Sequence, residues 1–200
     1  MKTISAFLFS LFLLASTGSD SPLMAGGSPR SRIEAHLASI QNILNRDDLS
    51  DRRDDRKKLE LMVLNQIFDF REMARSSLGS HAKKYANRLD EFTPLFVSLL
   101  EHKYLGEVED YGRSAKISYT KELIKEHYAE VETRVALNGG GEYRVNYKLQ
   151  ELSGDWKIYD VVVEGISMVN NYRNQFNRYL TKKSFDDLLQ NLRDKKDSFN

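Results

Sequence analysis

The stretch Tyr128-Ala129-Glu130-Val131-Glu132-Thr133-Arg134-Val135-Ala136-Leu137-Asn138-Gly139-Gly140-Gly141-Glu142-Tyr143-Arg144-Val145-Asn146-Tyr147-Lys148-Leu149 decides the fold. Ala129, Val131, Thr133, Val135 and Leu137 face one way while Tyr128, Glu130, Glu132 and Arg134 face the other, the period of a strand with one buried face. Asn138 to Gly141 is a hairpin turn, after which Tyr143, Val145, Tyr147 and Leu149 alternate again against Arg144, Asn146 and Lys148. Ser153-Gly154-Asp155 then turns the chain into Trp156–Val163, apolar on both faces and so interior to the sheet. In that strand the alternation puts Asp160 on a face with Trp156, Ile158 and Val162. A weaker strand over 116–122 precedes the quoted stretch, giving about four antiparallel strands.

On either side of the sheet the period becomes helical. Ser28-Pro29 is a cap followed by proline at the first helical position, with Ile33, Leu37, Ile40 and Leu44 behind it. The charge-balanced stretch 47–58 reads as a solvated turn and the start of a second helix ending near Ile67. Asp69 caps a third, with Glu72 placed to return the bond, Phe68 to staple onto Met73 and Gly79 to close it. A fourth apolar face carries Leu89, Phe92, Phe96, Leu99, Leu100 and Tyr104; at Pro94 the helix either kinks or restarts from a Thr93 cap. Beyond the sheet, Ser167 opens a helix with Val169, Tyr172, Phe176 and Leu180, and Ser184 with Asp187 opens a last one. The class is α+β: a mainly helical part (26–111), a curved antiparallel sheet (112–166) and C-terminal helices (167–200), read as one domain.

Composition narrows the chemistry. The 200 residues hold 30 Lys+Arg against 29 Asp+Glu, a net charge of +1, which is unlike a protein that grips nucleic acid through phosphates. With no cysteine, disulfides and thiolate chemistry are excluded, and His36, His81, His102 and His127 stand singly, so no metal or cofactor is assigned. Lys2 followed by the apolar run 4–15 and then small residues reads as a secretory signal over 1–25. The run is shorter than the roughly 20 residues a membrane span needs.

The segment Trp156-Lys157-Ile158-Tyr159-Asp160-Val161-Val162-Val163-Glu164-Gly165-Ile166-Ser167-Met168-Val169-Asn170-Asn171-Tyr172-Arg173-Asn174-Gln175-Phe176 closely resembles the signature of the MlaC family, periplasmic phospholipid-binding proteins of outer-membrane lipid asymmetry, also described as toluene-tolerance proteins. Phe68-Asp69-Phe70 through Met73-Ala74 to Leu78-Gly79 resembles that family's helical motif, although Ala82 stands where many members carry tryptophan. The resemblance implies a nuclear-transport-factor-like or cystatin-like sheet joined to a helical lobe around an apolar cavity for phospholipid acyl chains. It also implies shuttling between an outer-membrane lipoprotein complex and an inner-membrane ABC transporter complex. The residues alone leave open whether the apolar stripes close into a dry core. Under the resemblance the pocket wall is Val131, Val135, Val145, Tyr147 and Val162 from the sheet, with Phe70, Met73, Phe96, Leu100, Ile166, Val169, Tyr172 and Phe176.

Two other readings compete. An isomerase-like enzyme on the same fold would use Asp160 or Glu164 as general base, but neither has an evident chemical partner. Asp160 reads instead as a structural carboxylate, with Arg173 the expected partner, and Gly165-Ile166-Ser167-Met168-Val169 lacks the second glycine of a nucleophile elbow. A non-enzymatic periplasmic adaptor is the third reading.

Overall fold

The computed structural model describes residues 27–111, 115–137 and 141–197; the signal reading at 1–25 and Asn138–Gly140 of the glycine turn lie outside them. Helix α1 (Pro29–Leu44) begins where Ser28 accepts the Ser31 N–H at 3.2 Å, and Pro29 there forfeits no helical hydrogen bond. Its stripe of Ile33, Leu37, Ile40 and Leu44 is at most 1% exposed. Helix α2 (Arg53–Ile67) packs against α1. Past its end Phe68 forms an isolated bridge to Ile158 in the sheet, and the Asp69 N–H donates to the Ile158 carbonyl at 2.8 Å. The C-terminal end of α2 is thereby pinned to the sheet.

Helix α3 (Phe70–Leu78) is capped by the Asp69 carboxylate, which accepts the Glu72 N–H at 2.8 Å. The capping box is only half formed, because Ile158 takes the Asp69 N–H and the Glu72 carboxylate turns to Arg75 and Ser76. Helix α4 (Leu89–Tyr111) runs through Pro94 without a restart, and the Thr93 hydroxyl donates to the Leu89 carbonyl at 2.7 Å.

The sheet is a meander, β1 (Lys116–Lys125), β2 (Tyr128–Ala136), β3 (Glu142–Leu152), β4 (Asp155–Val163) and β5 (Ile166–Ser167), each strand antiparallel to the next in chain order. The fifth strand adds two residues to the expected four-stranded sheet. Ser153-Gly154 and Glu164-Gly165 turn the last two hairpins with positive φ at both positions, the turn whose twist suits paired strands. In β4 the register slips: Ile158 pairs with Leu149, but Asp160 pairs with Lys148, so Tyr159 is an inserted bulge residue. Ile158 and Asp160 therefore fall on opposite faces, against the simple alternation expected for this strand.

Helix α5 (Met168–Leu180) starts at Ser167, whose hydroxyl accepts the Asn170 N–H at 3.0 Å. Before α6 (Phe185–Asp197), Ser184 and Asp187 form a complete reciprocal cap. Helix α1 packs on β1 and β2, and α2 reaches β4; α3 and α5 pack on each other and on β4, while α4 joins α3 to α6. One contiguous apolar cluster runs from the buried sheet face through all six helices. Among the described residues no helix is long and apolar enough to cross a membrane.

Candidate functional site

Most of the residues assigned to a pocket wall converge in this interior. Val131, Val135, Val145 and Tyr147 are fully buried on one sheet face, with Val131 opposite Tyr147. Met73, Phe96, Leu100, Val169, Tyr172 and Phe176 meet them from the helices, all within the buried cluster. Phe96 lies edge-on to Tyr172 at 5.3 Å, and Tyr172 stacks on Phe176 at 5.7 Å. The Tyr172 hydroxyl donates to that of Tyr104 at 3.4 Å, which links two buried phenols inside the apolar mass.

Two assigned residues fall outside it. The alternation of β4 turns Val162 toward Asn146 on the polar side, where it is half-buried, whereas Val161 and Val163 enter the core. Ile166, in the two-residue edge strand after the Glu164-Gly165 turn, is 40% exposed.

Side chains fill the interior. At its margin, between α2 and α4, lies a recess with about 10 Å³ of free room, lined by Leu61, Leu64, Phe70, Val97, Leu100, Glu101 and Leu105. Phe70 and Leu100, assigned to the pocket wall from the sequence, line this recess. Leu61, Leu64, Val97 and Leu105 fall outside that assignment, because their shared feature is a contact between helices remote in sequence; only the spacing of Val97, Leu100, Glu101 and Leu105 along one side of α4 hints at it. Glu101 is half-buried at this rim. Loss of water pushes its carboxyl above the usual range, and Lys57 on α2 and Lys196 on α6 draw it back.

On the polar side of β4 a second cleft, of about 320 Å³, is lined by Ser76, Lys148, Tyr159, Asp160, Ser167, Val169, Asn170 and Arg173. Asp160 is 5% exposed. Its carboxylate accepts the Ser167 hydroxyl at 2.6 Å and the Val169 N–H at 3.0 Å, with the Lys148 ammonium at 4.0 Å. Arg173 is not its partner: the Arg173 Nε donates to the Ser76 carbonyl at 2.8 Å. The bulge at Tyr159 explains the change, since it aims Asp160 at the first turn of α5 while Arg173 lies one turn farther along that helix, over the end of α3. Among the described residues no three carboxylate or imidazole side chains gather where they could hold a metal ion.

Burial raises the Asp160 carboxyl above its ordinary value, against the Ser167, Val169 and Lys148 contacts that lower it. The folded state thus holds this proton more tightly than the unfolded chain. Its contribution is complete below the unfolded pKa and is lost as pH rises through the raised folded value. Asp160→Asn removes that slope, so its loss of stability relative to the wild type is greatest in acid and shrinks toward neutral pH, where the ionised carboxylate is the form the fold disfavours. Urea unfolding of both proteins between acid and neutral pH checks both statements. Equal stability and equal slope would show that Asp160 holds nothing.

The architecture is an α+β meander packed under helices, with an apolar interior and an apolar seam between α2 and α4. Residues 34–194 match the MlaC protein family, and the chain belongs to it. It is 24% identical over 200 aligned residues to the intermembrane phospholipid transport system binding protein MlaC of Haemophilus influenzae, covering 95% of this chain and 90% of that one. A shorter stretch of 48 residues, 24% of this chain and 22% of its relative, is 40% identical to the toluene tolerance protein ttg2D of Pseudomonas putida. Among solved structures, a phospholipid-binding protein from Ralstonia solanacearum in complex with a phospholipid superposes with a TM-score of 0.73 at 19% identity, over 86% of this chain and 99% of that one.

Proposed function

We propose that this chain is a periplasmic phospholipid carrier that takes acyl chains into its apolar interior. Lipid passes between an outer-membrane lipoprotein complex and an inner-membrane ABC transporter complex. The observation that carries the reading is the apolar recess between α2 and α4, whose Leu64, Leu100 and Leu105 belong to the buried apolar cluster; family membership and the names of the relatives support it. Acyl chains enter when α2 moves off α4, and the side chains that fill the interior swing aside. Burying a methylene is worth about 0.8 kcal/mol relative to water, but a lipid leaving a bilayer is already sheltered, so transfer is close to balanced and partner complexes set its direction. The reading is non-enzymatic. Asp160, the carboxylate that lines the polar cleft, is engaged by Ser167 and the start of α5.

Incubation with vesicles carrying a fluorescent phospholipid tests the reading. The chain should acquire about one lipid per molecule and retain it after the vesicles are removed, and no consumption of the lipid should accompany uptake. A chain that stays empty at every vesicle concentration is not a carrier.

A further inference from the structure

The acyl-chain reading leaves the polar cleft beside β4 unused, yet the two sequence blocks singled out above meet there. Ser76 comes from the Phe68–Gly79 block, and Tyr159, Asp160, Ser167, Asn170 and Arg173 come from the Trp156–Phe176 block. Lys148 from β3 completes the wall.

Arg173 is built into this position. Its Nε is held by the Ser76 carbonyl, and its stem crosses Gly79, where an added Cβ would lie 2.8 Å from Cγ and 2.9 Å from Cδ. Gly79 also has a φ of 55°, so both backbone conformation and space favour glycine beneath the arginine. With Nε committed, the Nη groups of the fork remain as donors with no protein partner among the described residues. Among the described residues the Lys148 ammonium has only its 4.0 Å approach to Asp160, and the Asn170 amide and Tyr159 hydroxyl add neutral donors.

The acids nearby are already engaged. Asp160 accepts from Ser167 and Val169, Glu72 pairs with Arg75 at 2.6 Å, and Glu130 accepts from Asn146 at 2.5 Å. We propose that this cleft binds an oxyanion of the phosphate class, gripped by the Arg173 fork and Lys148 with Asn170 and Tyr159 as further donors. A planar guanidinium fixed in advance suits a phosphate, and two cations against the single carboxylate of Asp160 leave the cleft lining with a net positive charge that favours an anion over a neutral guest. The phosphate is either a free ion or the phosphodiester of a lipid headgroup. The site goes beyond the carrier reading and does not depend on it.

The test is a nuclear magnetic resonance titration of the ¹⁵N-labelled chain with sodium phosphate, with sodium chloride at equal ionic strength as control. Saturable shifts of the Asn170 amide and the Arg173 Nε–H, absent with chloride, are expected. Lys148→Met should weaken binding about tenfold, the effect of losing one charged contact. A second titration uses glycerophosphoethanolamine, a headgroup phosphodiester without acyl chains. Tighter binding than phosphate assigns the cleft to a headgroup, and weaker binding assigns it to free phosphate. Shifts that fail to saturate, that chloride reproduces, or that keep their midpoint in a folded Lys148→Met variant overturn the proposal. Because Lys148 is 38% exposed in its side chain, that variant tests the site even if Arg173 variants do not fold.

Discussion

Linking Leu61→Cys on α2 to Val97→Cys on α4 through a short cleavable crosslinker abolishes lipid uptake, and cleaving the link restores it. Both residues line the recess, and the protein has no cysteine of its own to compete for the reagent. The recess holds about 10 Å³, far less than an acyl chain occupies, so loading requires the seam to widen. Helix α2 is suited to such movement: its C-terminal end is tied to β4 through Phe68 and Asp69, and elsewhere its main partner is α1. Apparent affinity scales with the population of the open state, so a link that lowers that population about 100-fold lowers apparent affinity about 100-fold. Each single-cysteine variant, alkylated alone, should load nearly as wild type. A linked protein that loads at the wild-type rate would place the entrance elsewhere.

Breaking the buried ion pair inside α2 gives the largest expected loss of stability. Glu60 is 0% exposed and Arg56, one turn earlier, is 6% exposed, with the Arg56 Nε 3.6 Å from the Glu60 carboxylate. Charges this deep are costly to strip of water, and removing one takes from the other a counter-charge one helical turn away. Glu60→Leu should cost about 3–5 kcal/mol in urea unfolding, and adding Arg56→Met should recover most of it, because an apolar pair of similar volume avoids the penalty. If the double variant is no better than Glu60→Leu, the pair is not an isolated unit and both groups answer to other neighbours.

Local signals carried the sequence reading a long way. Ser28-Pro29 fixed the start of α1, Ser167 the start of α5 and Ser184 with Asp187 that of α6, because each cap is a bond between residues three apart. The alternation of β2 and β3 placed Val131, Val135, Val145 and Tyr147 on the buried face, since a regular ladder preserves a period of two. The failures arise where one residue breaks a period or where partners are distant in sequence. The inserted Tyr159 separates Asp160 from the face of Ile158, and Arg173 chose a carbonyl on α3, 97 positions away. The seam between Leu61 and Val97 was invisible for the same reason: each helix shows its own stripe, but nothing local says which flank will meet a second helix. Pro94 was ambiguous because its ring interrupts a hydrogen bond near the start of α4, where a helix tolerates it.

Native mass spectrometry of the chain purified from a phospholipid-rich periplasm, followed by lipid extraction, tests the carrier reading most directly. The account predicts a species heavier than the bare polypeptide by one diacyl phospholipid, which organic extraction releases intact. A chain that emerges repeatedly at the mass of the polypeptide alone, and stays there after incubation with phospholipid vesicles, would contradict it.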